Sequence, residues 1–451
     1  MRRRESTYVK LLVFVALGWV LTAETFPRPW LSVAFPALGV LFAAGGAAAA
    51  ARLDAVGSTR AHLRCAGPAL LVPFWAFAAT AVTVMVVGGW RWDPDAGSEP
   101  LTWSTAWRWL LPLVDPPVPT GGSGLVGALG FVQVALWLLL LTPPLLWLSR
   151  RWLLRLMTLP LLTVVLVAIG IANPVGHTAD VVLGLCAYTG CWLLGFAHHD
   201  GRLRQVPADV ALLGGGLCVA AGIGLALWQQ PLYGTYALAA NPLATTLFSL
   251  GGVLVLLRLD PWLRWLERVR GLRPVLSLFH GRTLTALLWV DVVIVLTPPA
   301  LARTPLARFH TATLQGALLQ YAASWVLLLA AVVLLGWLED LGAGRRPRLV
   351  PRRRTALAPA PAPALVPQPR PAPVAEPRPA PVPEGRPAPA VAGPAQRRPS
   401  PRPRGHVLRG NVALADDVAP REALTELQVL VREYRARVGQ QGVGPDRAVD
   451  P

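Results

Sequence analysis

Runs of about twenty nearly uncharged residues recur along this chain, and that pattern leaves few folds open to it. About 20 consecutive apolar residues cross the hydrocarbon core of a bilayer as a helix. Only helices and closed barrels satisfy every backbone polar group there. The runs fall near residues 8–26, 30–50, 66–89, 124–148, 153–172, 179–197, 210–228, 240–258, 276–298 and 312–337. The expected fold class is therefore all-α, a polytopic membrane helix bundle of about ten transmembrane helices. The first run follows Arg2-Arg3-Arg4, as in a signal peptide. No small-residue cleavage site follows and a second run begins at Trp30, so it reads as an uncleaved span.

Charge tests the count independently. Only Lys10 is a lysine, and the other 41 basic residues are arginines. With the N-terminus inside, the inner loops carry Arg52, Arg60, Arg64, Arg150, Arg151, Arg155, Arg202, Arg204, Arg258, Arg264, Arg268, Arg270 and Arg273. The outer loops carry Arg28, Arg91, Arg108, Arg303 and Arg308. Counting the basic head, sixteen positive charges lie inside against five outside, the asymmetry of a multi-pass plasma-membrane protein with both termini cytoplasmic. The net charge of +18 would point to nucleic acid in a soluble chain. Here no base-reading motif accompanies it, so nucleic acid is not an expected partner. Cys65, Cys186, Cys191 and Cys218 form no CxxC pair and read as small packing residues.

Three regions follow: a membrane domain over 1–341, a disordered Pro/Ala-rich linker over 342–405, and a tail over 406–451. Within the tail, residues 421–438 form an amphipathic segment with Leu424, Leu427, Val431, Tyr434 and Val438 on one face. It is either a docking helix for a protein partner or a solvated one. The basic stretch Arg345 to Arg354 should lie on anionic headgroups, at about 1 kcal/mol per charge. The longest outer segment, Trp90 to Ser123, carries Trp103, Trp107 and Trp109 and either rests on headgroups or roofs a cavity. Pro36, Pro73 and Pro143-Pro144 are expected to kink their spans.

Ionisable residues inside apolar runs are the candidates for chemistry, because each costs about 2.5–3.5 kcal/mol or more at mid-bilayer. Asp291 is the deepest, with His280 and Arg282 earlier in the same run. It reads either as a polar cavity residue or as a protonated or hydrogen-bonded packing residue. Glu24 closes the first run near Arg28 and is either half of an interfacial ion pair or a general base facing a cavity. A capped helix start accounts for His177 and Asp180. His198, His199 and Asp200 are consecutive and should diverge on a helix, which argues against a metal site. There is no Walker loop, GxSxG, HExxH or Rossmann fingerprint.

Four segments together carry a resemblance. They are Phe35-Pro36-Ala37-Leu38-Gly39-Val40-Leu41-Phe42; Arg60 to Arg64 running into Val72-Pro73-Phe74-Trp75; Leu136-Trp137 through Pro144-Leu145-Leu146-Trp147 to Arg150-Arg151-Trp152; and Cys191 to Gly201. In this order the chain, over roughly residues 8–340, resembles the actinobacterial branch of the integral-membrane acyltransferase 3 family. The resemblance implies a ten-span O-acyltransferase using acyl-CoA as donor, with no bound cofactor and a hydroxyl-bearing glycan, envelope or secondary-metabolite acceptor. It implies Arg60, Arg64, Arg150, Arg151, His280 and Arg282 as substrate-binding residues. The family's usual histidine in the first span has no counterpart here; its slot falls near Glu24, so Glu24 or Asp291 would be the base. The alternative is a non-catalytic scaffold or lipid- or glycan-binding relative on the same fold.

Overall fold

The computed structural model describes residues 7–349 apart from 27, 92, 94–97, 121, 173–176, 234–237, 239–240, 260–271 and 309–312. The basic head, Arg264, Arg268, Arg270 and the amphipathic segment 421–438 lie outside the described residues. Among the described residues every regular element is a helix. They are α1 (Thr7–Thr25), α2 (Pro29–Ser32), α3 (Ala37–Val56), α4 (Thr59–Val87), α5 (Trp103–Ala106), α6 (Leu129–Ala168), α7 (His177–His199), α8 (Ala208–Tyr233), α9 (Pro242–Arg258), α10 (Leu272–Gly281), α11 (Thr283–Ala302), α12 (Leu314–Leu335) and α13 (Trp337–Gly342). Eight helical stretches are long and apolar enough to cross a membrane, with the 17-residue apolar α9 just shorter.

The 40-residue α6 accounts for two of the expected spans. Trp152 leaves helical geometry at φ −138° and ψ 50°. On one side of it, Val134 faces Gly184 of α7; on the other, Thr163 hydrogen-bonds Cys186 of α7. Those two α6 positions are 29 residues apart, about 43 Å along a straight helix, yet they meet α7 two residues apart. Residues 129–151 and 153–168 are therefore the limbs of a hairpin, and counting each limb and α9 separately the described residues hold ten apolar helical segments.

The prolines act differently from the expectation. Pro143 and Pro144 lie in regular helix, and the break falls at Trp152 instead. Pro36 is the N-cap of α3, ahead of the first turn, where its missing N–H costs nothing. The 276–298 run is likewise two pieces, because Arg282 adopts φ −136° and ψ 34° between α10 and α11. The folded region also reaches past residue 341, since the Arg348 carbonyl accepts a hydrogen bond from Arg282.

The core is built around α3, α6 and α7. A Cβ on Gly195 would lie 2.1 Å from the Ala43 carbonyl oxygen, and one on Gly46 would lie 2.3 Å from that of Trp192. Small residues let membrane helices approach backbone to backbone. Trp192 also ties α7 to α6 by donating to the Thr142 hydroxyl at 3.2 Å. A second close approach, between Gly215 and Gly251, joins α8 to α9.

Candidate functional site

The end of the bundle where α3 stops and α7 turns carries a charged network. Arg150, in the last turn of the first α6 limb, donates to Asp54 at 2.7 Å and to both oxygens of Asp200 at 3.0 and 3.2 Å. His199 bonds the same Asp54 oxygen at 3.1 Å. The break at Trp152 leaves carbonyls at the limb's end, and Arg202 satisfies two of them, donating to Ser149 at 2.9 Å and also to Arg150. Three helices are thus tied at one point. His199 and Asp200 converge, contrary to the divergence expected for neighbours on a helix, because Asp200 already lies in the turn that ends α7. Candidate ligand atoms of Asp54, His199 and Asp200 fall within 4.8 Å of one another. The Arg150 guanidinium already supplies the cation between the carboxylates, so the geometry is that of an ion-paired clasp.

This bears on the arginines expected to meet an anionic donor. Arg150 is committed to two carboxylates. Arg151 lies over the Trp147 ring at 4.5 Å and stays exposed. Arg60 and Arg64 are exposed in the first two turns of α4. Asp54 was not singled out from sequence, although it is the sole acid between Arg52 and Arg64.

Arg282 is 1% exposed. It donates to Asp340 at 3.3 Å and to the Arg348 carbonyl, and its stem crosses Gly336, where a Cβ would collide with it. Beside it, the Glu339 carboxylate accepts from the Thr285 backbone N–H at 2.6 Å and hydroxyl at 2.7 Å, which satisfies free donors in the first turn of α11. His280 is half-buried one turn away. Arg282 therefore holds α11, α13 and the chain beyond α13 together. Thr285, Glu339 and Asp340 were missed from sequence; the Glu-Asp pair directly after an apolar run was the available signal.

Asp291 is half-buried and accepts from the Ala128 backbone N–H at 2.7 Å. Its carboxyl group caps the N-terminus of α6, where orphan N–H groups need acceptors. Gly127 leaves room for it, as a Cβ there would sit 2.9 Å from the carboxylate. Glu24 is exposed near the end of α1, with no ion pair to Arg28 among the described residues, and lies within electrostatic reach of Asp291. The two carboxylates thus share one region, remote from Arg150.

The long loop between α4 and α6 is packed against the bundle. Trp75 donates to Leu110 at 2.7 Å, Trp137 to Leu113 at 3.2 Å, and the buried Gln133 amide to Asp115 at 2.8 Å. Trp109 is buried among Phe74, Phe77, Leu129 and Leu288. The loop therefore plugs the space between α4, α6 and α11, while Trp103 and Trp107 remain exposed.

Two hollows flank this framework. One is an interior void of about 10 Å³ beside His198, lined by Val9, Leu12 and Val40 among others. The other is an open apolar groove of about 560 Å³ in the elbow of α6. Neither touches Glu24 or Asp291.

No family model, curated protein or solved structure matches the chain.

Proposed function

We propose that this chain is a membrane-embedded O-acyltransferase-like protein of the acyltransferase 3 type, working in the plasma membrane with both termini cytoplasmic. It moves an acyl group from acyl-CoA to a hydroxyl of a glycan or other cell-envelope or secondary-metabolite acceptor. The observation that carries the reading is that three of the resemblance segments are mutually packed. Gly39 faces Cys191, Gly195 lies on Ala43, and Trp192 donates to Thr142, so the likeness falls on one structural unit.

In this reading Glu24 is the base and Asp291 a positioning residue. The Glu24 carboxylate accepts the proton of the acceptor hydroxyl as its oxygen attacks the thioester carbonyl. The C–S bond breaks, and the CoA thiolate leaves and takes up a proton. Arg60, Arg64 and Arg151 meet the donor's phosphates at the other end of the bundle, with Arg150 holding that end in shape.

A second reading, a non-catalytic scaffold or lipid- or glycan-binding relative, is favoured by one observation: neither the elbow groove nor the void beside His198 touches either carboxylate. Thiol release from acetyl-CoA and longer donors, measured on purified protein in nanodiscs, separates the two. General-base removal costs about 10²–10⁴-fold, so Glu24→Gln should abolish release while Asp291→Asn preserves it. Release untouched by Glu24→Gln removes Glu24 as base. No release together with no CoA binding leaves the scaffold.

A further inference from the structure

The groove in the elbow of α6 belongs to none of the machinery above. Its walls are Leu148 from the first limb and Trp152, Leu156, Leu159, Leu162 and Val165 from the second. These positions follow helical spacing across the break at Trp152, so the change of chain direction itself opens the concavity. Its polar wall groups are few: Thr158 spends its hydroxyl on the Arg155 carbonyl at 2.7 Å. Arg155 is part of the wall, exposed and in no ion pair among the described residues.

We propose that this groove holds one anionic glycerophospholipid, its phosphate on Arg155 and one acyl chain laid against Leu156, Leu159, Leu162 and Val165. Length supports this occupant. From Arg155 to Val165 is ten residues, about 15 Å along the axis, the depth of one leaflet of a ~30 Å core. Charge supports it too: the Arg155 guanidinium is in no ion pair among the described residues, and Trp152, half exposed, lines the same groove and is of the residue type that anchors at the interface. An apolar helix from a second copy would fill the walls and leave Arg155 unmatched. The inference does not depend on acyl transfer.

The test is native mass spectrometry of the full chain released from nanodiscs of equal phosphatidylglycerol and phosphatidylcholine. One phosphatidylglycerol should remain bound in preference to phosphatidylcholine. Each interfacial cation contributes about fivefold, so Arg155→Ala should cut the preference about fivefold, and Arg155→Lys should restore most of it. Leu159→Trp fills the groove and should abolish retention with Arg155 intact; an unchanged melting temperature shows that these variants fold. Equal retention of the two lipids, retention indifferent to Leu159→Trp, or a dimer mass in place of a lipid adduct would each overturn the proposal.

Discussion

The crossing of α3 and α7 permits a quantitative prediction. A methyl at residue 195 would start 2.1 Å from the Ala43 carbonyl oxygen, and one at residue 46 would start 2.3 Å from that of Trp192. Ordinary contact begins at 3.4 Å. Gly195→Ala therefore forces the helices apart by about 1.3 Å and Gly46→Ala by about 1.1 Å, because the opposing atoms are backbone and no rotamer can yield. Gaps of 0.5–1 Å already forfeit a quarter to a half of the dispersion well, and overpacking alone costs roughly 1–3 kcal/mol. Each substitution should destabilise the protein by about 3 kcal/mol. One separation relieves both clashes, so the double variant should lose about 4 kcal/mol rather than twice the single value. Thermal unfolding in detergent can be followed through the reactivity of the buried Cys191 thiol, with Cys65, Cys186 and Cys218 replaced by serine. Full additivity, or a Gly195→Ala variant that melts like the wild type, would refute the close-crossing argument.

Other predictions follow from the same geometry. Thr163→Cys should form an oxidant-induced disulfide with Cys186 in a background lacking the other cysteines; failure to cross-link would argue against the α6 hairpin. Asp291→Ala should cost about 0.5–2 kcal/mol as a lost cap, and Asp291→Asn less, since its amide oxygen still accepts from Ala128. Equal losses for the two would exclude capping. Arg282→Lys should behave almost as badly as Arg282→Ala, since one ammonium cannot match the guanidinium fork. About 2 kcal/mol is expected, below the 3–5 of a fully buried pair because Asp340 keeps some solvent. Near-wild-type melting of Arg282→Lys would contradict it. In the α3–α6–α7 clasp, a double-mutant cycle on Arg150 and Asp54 should give a coupling of about 1 kcal/mol or less, as both are more than a third exposed.

What the sequence determined by itself is what the bilayer dictates. Apolar length fixes where helices cross, so runs such as 179–197 and 240–258 reappear with ends moved by a few residues in α7 and α9. Arginine placement expressed the asymmetry of the loops without any structure. Composition also set the class, because a chain with so little charge in its first 340 residues has no other solvent that satisfies it. Where pairs of distant residues decide, the sequence was silent. The α6 turn sits at Trp152, next to carbonyls that Arg202 of another loop can satisfy, and not at the more conspicuous Pro143-Pro144. Asp291 read as either a cavity or a packing residue until Ala128, 163 residues earlier, supplied its N–H. Arg150 looked free for phosphates until Asp54 arrived from α3 and Asp200 from the turn after α7. Burial of apolar surface is a property of each segment and is written locally. The partner of a charge is a property of the packed bundle, and only the tertiary structure chose it.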